Sequence, residues 1–250
     1  FVPVSEPTLP VDPVDPDTFA LWRPVAGERF ADLLETQKHN FSVNTSDPEE
    51  ELSRWKSQAE KVAGRCIEPA RATGAPLSTR QLVVGRVQSG KTTNYTGAIA
   101  LLADNGYYLF VVVAGTTLPL LAQTRDRLRS DLGTSRFHFY STDEDESRWQ
   151  ANLAGIRQTV IDLERHQYNP HVGRPKKAIC ITVLKWNQGH LDRLVELFQK
   201  LREDPETQNQ WRKFPALIVD DECDSFSLNS NIREPSKGDT AIYQSLLNLQ

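Results

Sequence analysis

The sequence predicts an α/β fold, a mostly parallel β-sheet covered by helices on both faces and preceded by a helical extension. Three observations predict it. From about residue 82 onward, apolar strand-like runs alternate with helix-like stretches, the pattern of successive βαβ units. Two of those runs, YYLFVVVA over 107–114 and AICITVL over 178–184, are nearly continuously apolar, as strands buried on both faces are. A glycine-rich turn, GRVQSGKTT over 85–93, follows the first strand and opens a helix.

Taken in order, residues 1–16 carry proline at positions 3, 7, 10, 13 and 16, which restricts φ and removes backbone donors, so an extended arm is expected. No charged start followed by an apolar core marks a secretory signal. Between 18 and 37, Phe19, Leu21, Trp22, Phe30, Leu33 and Leu34 suggest helical pieces broken near Pro24. A clearer helix is expected from Ser46, with Ser46 as N-cap, Pro48 in the first turn and Glu49 at the capping-box position, continuing through Leu52, Trp55, Ala59 and Val62. Residues 1–78 are thus read as a proline-rich arm and helical extension, and 79–250 as the α/β lobe. An aromatic on an apolar helix face is usually core, so Trp55 is expected to pack rather than stack on a base.

After a loop over 73–78, the lobe reads as a strand at 82–84, a helix over 93–103, a strand over 107–114 and a helix over 118–132. A short strand over 137–140 follows. The acidic run over 142–146 reads as a solvated start to a polar helix reaching about 165. A loop over 169–177, a strand over 178–184, a helix over 191–201 and a strand over 216–220 complete the alternation.

Hydrophobic residues make up 38% and charged residues 25% of the 250, which describes a globular chain. No apolar run approaches the roughly 18 residues that span a bilayer, so no membrane role is expected. The net charge of −4 disfavours binding nucleic acid by charge alone. Cys66, Cys180 and Cys223 are too few and too scattered for a disulfide framework or a zinc site, which favours the cytoplasm. The five histidines show no metal-ligand spacing. A start at Phe1 and the absence of methionine suggest part of a longer or processed polypeptide.

The turn at 85–93 fits GxxxxGK[ST], with Gly85, Gly90, Lys91 and Thr92 in the required places. Glycines let successive N–H groups, those of Gln88 and Ser89 among them, curl around a phosphate chain, and the N-terminus of the next helix adds positive potential. Lys91 is expected on the β- and γ-phosphates of ATP, Thr92 on Mg²⁺, and Thr93 at the opening of the helix beside the phosphates. The second half of such a site is a carboxylate cluster at a strand end. ALIVDDECD over 216–224 supplies it. In a DExD frame Asp221 holds the metal shell and Glu222 positions the attacking water, while Asp224 couples to neighbouring loops. A shift by one gives the metal role to Asp220.

Gly115, Thr116 and Thr117 stand where loop amides and hydroxyls contact a nucleic-acid backbone in helicase-like motors, and Gln123, Thr124, Arg125 and Arg127 follow on the next helix. Lys185 and Trp186, after the next strand, offer a cation and a stacking ring.

From about residue 80 onward, VQSGKT, the ADNGY turn, the QTRDRL helix and DDECD followed by SFSLN resemble the Z-one domain, a branch of the superfamily-two helicase-like ATPases sometimes labelled endonuclease. The resemblance implies a three-layer RecA-like P-loop NTPase lobe acting on DNA with ATP and Mg²⁺. It also implies a bacterial restriction or antiphage setting with partner proteins of the defence system, and a second RecA-like lobe carrying an arginine finger. Leu120, Leu121 and Ala122 stand where the family often has a leucine-arginine pair, and Cys223 replaces the alanine of DExD. The strand over 178–185 carries no carboxylate, so a PD-(D/E)xK nuclease is not expected in these residues. No NKxD motif supports a GTPase, and the terminal DExD disfavours a small-molecule kinase.

Overall fold

The computed structural model describes residues 22–69, 81, 91–168, 177–184, 188–208 and 215–221, with backbone alone at 44, 91, 92, 163–168 and 188. The expected proline-rich arm and the strand at 82–84 lie outside the described residues. In chain order the elements are α1 (Glu28–Asn44), α2 (Pro48–Ala63), α3 (Lys91–Asp104), β1 (Leu109–Ala114), α4 (Leu118–Leu132), β2 (Phe137–Ser141), α5 (Glu146–Tyr168), β3 (Ala178–Leu184), α6 (Gln188–Glu203) and β4 (Ala216–Asp220).

The four strands are parallel throughout and lie in the order β2-β3-β1-β4. Alternate residues of β1 and β3 face opposite layers. Phe110, Val112, Ala114, Ala178 and Cys180 pack with α3 and α4, and α1 and α2 lie over that layer. Leu109, Val111, Val113, Ile179, Ile181 and Val183 face Trp149, Leu153 and Ile156 of α5 and Leu191, Leu194 and Leu197 of α6. The outward step from β1 to β2 runs through α4 on one face, and the return steps run through α5 and α6 on the other, as crossovers of a single hand require. This is the three-layer α/β/α arrangement of a RecA-like lobe. Among the described residues no helix is long and apolar enough to cross a membrane.

The N-terminal helices differ from the sequence reading in two places. Of the helical pieces expected between 18 and 37, the one after Pro24 is α1, beginning after Gly27 and running to Asn44, whereas residues 18–21 lie outside the described residues. The cap of α2 is Asp47 rather than Ser46. Its carboxylate accepts the Glu50 N–H at 3.1 Å, and Pro48 occupies the first helical turn, where its missing donor is harmless.

These helices belong to the core of the lobe. Trp55 is buried, stacks on Phe30 with ring centroids 5.6 Å apart and donates its indole N–H to the Thr93 carbonyl at 2.8 Å. The α2–α3 crossing closes at Gly97, where a Cβ would stand 2.8 Å from the Ala59 Cβ and 2.9 Å from the Trp55 ring.

The ADNGY turn fastens α1 to the lobe. Asp104, at the C-terminus of α3, accepts the N–H groups of Gly27 at 2.8 Å, Arg29 at 3.1 Å and Phe30 at 2.9 Å. It thereby satisfies donors that open the first turn of α1. Asn105 accepts the Val25 N–H at 3.0 Å and donates to the Val25 carbonyl at 2.8 Å, and the Tyr107 hydroxyl donates to the Ile67 carbonyl at 2.7 Å.

The acidic run, expected as a solvated face, also joins α5 to α6. Asp145 accepts the Arg148 N–H at 3.0 Å near the start of α5. Arg193 of α6 donates to the carbonyls of Thr142 at 2.8 Å and Glu144 at 2.7 Å and pairs with Glu146 at 2.9 Å. Cys66 and Cys180 are buried free thiols, pushed up to about 11 and about 12 by burial, and so remain protonated at neutral pH.

Candidate nucleotide site

A parallel sheet brings all its carboxyl ends to one edge, and ligands of open α/β sheets bind there. At this edge β1 leads into Gly115, Thr116 and Thr117, β2 into Thr142 and Asp143, and β4 into Asp220 and Asp221. The register pairs Val113 of β1 with Asp220, and the Asp221 N–H continues the ladder to the Val113 carbonyl at 2.9 Å. Both acids are therefore fixed by backbone pairing rather than carried on a free loop. Gly115 makes the turn from β1 toward α4 with φ +60, and a Cβ there would stand 2.7 Å from the Leu120 Cβ.

Helix α3 begins at Lys91, so the expected helix behind the glycine-rich turn forms and starts two residues earlier than its periodicity indicated. Gly85, Gln88, Ser89, Gly90 and Glu222 lie outside the described residues, as do the side chains of Lys91 and Thr92. Tyr95, one helical turn after Lys91, places its hydroxyl 3.4 Å from Asp221 Oδ2. The carboxylate end of β4 therefore meets α3 at Tyr95, on the helix face that Lys91 shares.

Thr93 is buried and held from two sides. Its hydroxyl accepts a hydrogen bond from the Arg127 guanidinium of α4, and its carbonyl accepts from Trp55 and, at 2.8 Å, from the Thr96 hydroxyl. Sequence spacing missed Tyr95, and it placed Arg127 among the nucleic-acid contacts rather than on Thr93. Tyr95 had a local signal in its i+4 relation to Lys91, whereas nothing near Arg127 in sequence indicates Thr93.

Compared with family models, curated proteins and solved structures, the chain matches none.

The oxygen donors gathered here suit a hard cation. Magnesium keeps several waters and takes one or two carboxylates together with substrate phosphates, so Asp221 or Asp220 at the end of β4 would fit its needs. Among the described residues no group of three or more His, Cys, Asp or Glu forms a dedicated metal cage.

The described residues among those read as nucleic-acid contacts differ in exposure and direction. Thr116 is half-buried and Thr117 is exposed at the N-cap of α4, whose cap carries no side-chain hydrogen bond. Gln123 is exposed, whereas Arg125 lies beside the buried stripe of Leu121, Leu128 and Leu132 with its side chain 23% exposed. Two residues apart on a helix is about 200° of rotation, so Gln123 and Arg125 point apart. Arg125 stands 3.5 Å from Asp143 and 3.6 Å from Asp126, which offset its charge. Lys185 and Trp186 lie outside the described residues.

Proposed function

We propose that this chain is the ATP-binding and ATP-hydrolysing first lobe of a helicase-like DNA translocase, working in the bacterial cytoplasm within a restriction or antiphage defence system. The observation that carries the nucleotide reading is the approach of Asp221 to Tyr95. It sets the acidic end of β4 against Tyr95, one turn along the helix opened by Lys91. Phosphate-loop hydrolases need that pairing of a cationic, amide-lined cradle with a carboxylate at a neighbouring strand end. The DNA and defence assignments rest on the resemblance to the Z-one domain.

In this reading Lys91 and the amides of 85–92 bind the phosphate chain, Thr92 and Asp221 hold Mg²⁺, and Glu222 orients the attacking water. Bound Mg²⁺ supplies neutralisation of charge developing on the transferred phosphoryl group. An arginine finger from a second lobe completes the transition-state contacts, so the chain by itself binds ATP and turns it over slowly.

The test is ATP affinity and turnover of the chain with and without DNA. Lys91→Ala is expected to lose binding, and Glu222→Gln to bind ATP without turnover. Fast hydrolysis indifferent to DNA, or hydrolysis retained by Glu222→Gln, contradicts this assignment.

A second reading, a nucleotide-gated switch in a defence complex, is favoured by the engagement of Arg125 with Asp143 and Asp126, which leaves less positive charge for a DNA backbone. ATP turnover raised by a partner protein and unchanged by DNA selects it.

A further inference from the structure

We infer that Arg127 of α4 is a positioning residue for the nucleotide, acting through Thr93 and aimed by Asp131. The inference rests on the nucleotide reading of the α3 N-terminus and adds to it a residue of the QTRDRL helix, outside the phosphate loop and the DExD run. Arg127 Nη2 donates to the Thr93 hydroxyl, while its Nε lies 3.7 Å from Asp131 Oδ2 one turn further along α4. A carboxylate, a guanidinium and a hydroxyl thus stand in line, ending on the third residue of α3. The Asp131 side chain is only 8% exposed and its Oδ2 finds no hydrogen-bond partner. Burial holds its carboxyl above the usual range, against the pull of Arg127.

Asp131 offsets only part of the Arg127 charge. The first turn of α3 contains no acidic residue and begins with Lys91, so Arg127 brings a second positive charge to the positive end of the helix dipole. An anion at that end resolves the conflict, and a polyphosphate is the anion that the sequence pattern GxxxxGK[ST] points to. The Arg127 side chain is 45% exposed, so its charge is not spent on a closed ion pair. By holding the Thr93 hydroxyl, Arg127 fixes the rotamer of a residue beside the phosphate path and raises the local positive potential. Helix α4 starts directly after Thr116 and Thr117, about 14 Å along its axis from Arg127. Any shift of that loop therefore reaches Thr93 through one rigid helix.

The experiment measures equilibrium binding of a fluorescent ATP analogue with Mg²⁺, together with thermal midpoints, for the 250-residue chain and its Arg127→Gln, Arg127→Lys, Thr93→Val and Thr93→Val/Arg127→Gln variants. Arg127→Gln is expected to weaken binding about tenfold, the loss typical of one charge-assisted hydrogen bond, while the thermal midpoint reports separately the cost of leaving the buried Asp131 carboxylate without its partner. Arg127→Lys restores part of the affinity, because it returns the charge without the planar fork. In the Thr93→Val background the Arg127→Gln loss shrinks, as a double-mutant cycle between coupled residues requires. Tight binding by the unaltered chain with unchanged affinity in Arg127→Gln overturns the inference and leaves the ATP reading standing. So does a full additive loss in the double variant. An unaltered chain that binds no ATP overturns the nucleotide reading itself.

Discussion

The hydroxyl of Tyr95 and Oδ2 of Asp221 lie 3.4 Å apart across 126 positions of sequence. At that length the contact is a weak hydrogen bond, and its value is positional. It reports that β4 delivers its acids to the helix that opens at Lys91. Tyr95→Phe removes the hydroxyl and little else, so stability should change by less than about 1 kcal/mol. If Asp221 serves the metal shell, the Mg²⁺ concentration giving half-maximal ATP turnover should rise in the variant. Titration of turnover against Mg²⁺ checks this, and an unchanged titration removes Tyr95 from the site.

Asp104 is an acid at the C-terminal end of a helix, where the dipole disfavours it, yet it holds three N–H groups opening α1. Asp104→Ala leaves those donors without their acceptor, the Phe30 N–H among them in a buried setting. The expected loss is about 2 kcal/mol, read as a lower urea midpoint. Asp104→Asn keeps an acceptor oxygen and should lose less.

Gly97 provides a test of sign. Replacing glycine by alanine in an exposed helix interior gains up to about 1 kcal/mol. Here the added methyl meets the Ala59 methyl and the Trp55 ring at under 3 Å, so α2 must move away from α3. Gly97→Ala should therefore destabilise by about 1 to 3 kcal/mol, the range for overpacked cores. Because Trp55 also holds the Thr93 carbonyl, ATP affinity should fall with it.

His138 on β2 is held below the ordinary histidine range, first by burial and second by the charge of Lys177. Its ring also lies 6.4 Å from that of Tyr140. The depressed value means that the folded state resists protonation more than the unfolded chain does. Stability contributed by neutral His138 is present above the unfolded value near 6.5 and is lost as pH falls below it toward the folded value. Urea midpoints between about pH 7.5 and 5.5 should decline more steeply for the native chain than for His138→Asn. Parallel declines would contradict the assignment.

Much of this fold was legible in the chain because its signals are local. The apolar runs read at 107–114 and 178–184 hold the observed β1 (Leu109–Ala114) and β3, since a strand covered on both faces has no reason to alternate, and the run at 216–220 is β4. The helix at 118–132 was likewise bounded correctly, by Pro119 in its first turn and Gly133 after its last. The cap of α2 was misplaced by one residue because Ser46 and Asp47 both carry a capping oxygen, and backbone direction chose between them. The pairing of Arg125, read as a nucleic-acid contact, was not legible because its partner Asp143 is 18 positions away, at the end of a different element.

The sequence by itself determined the alternation of strands and helices, the double-sided burial of the sheet and the residue types at its carboxyl edge, because each depends on side-chain pattern over a few residues. Tertiary structure alone decided which distant groups meet: Asp104 under α1, Arg127 on Thr93, Tyr95 beside Asp221. Strand order and helix crossing set those meetings, and both are chosen by the summed packing of two apolar layers, a quantity that no window of sequence contains.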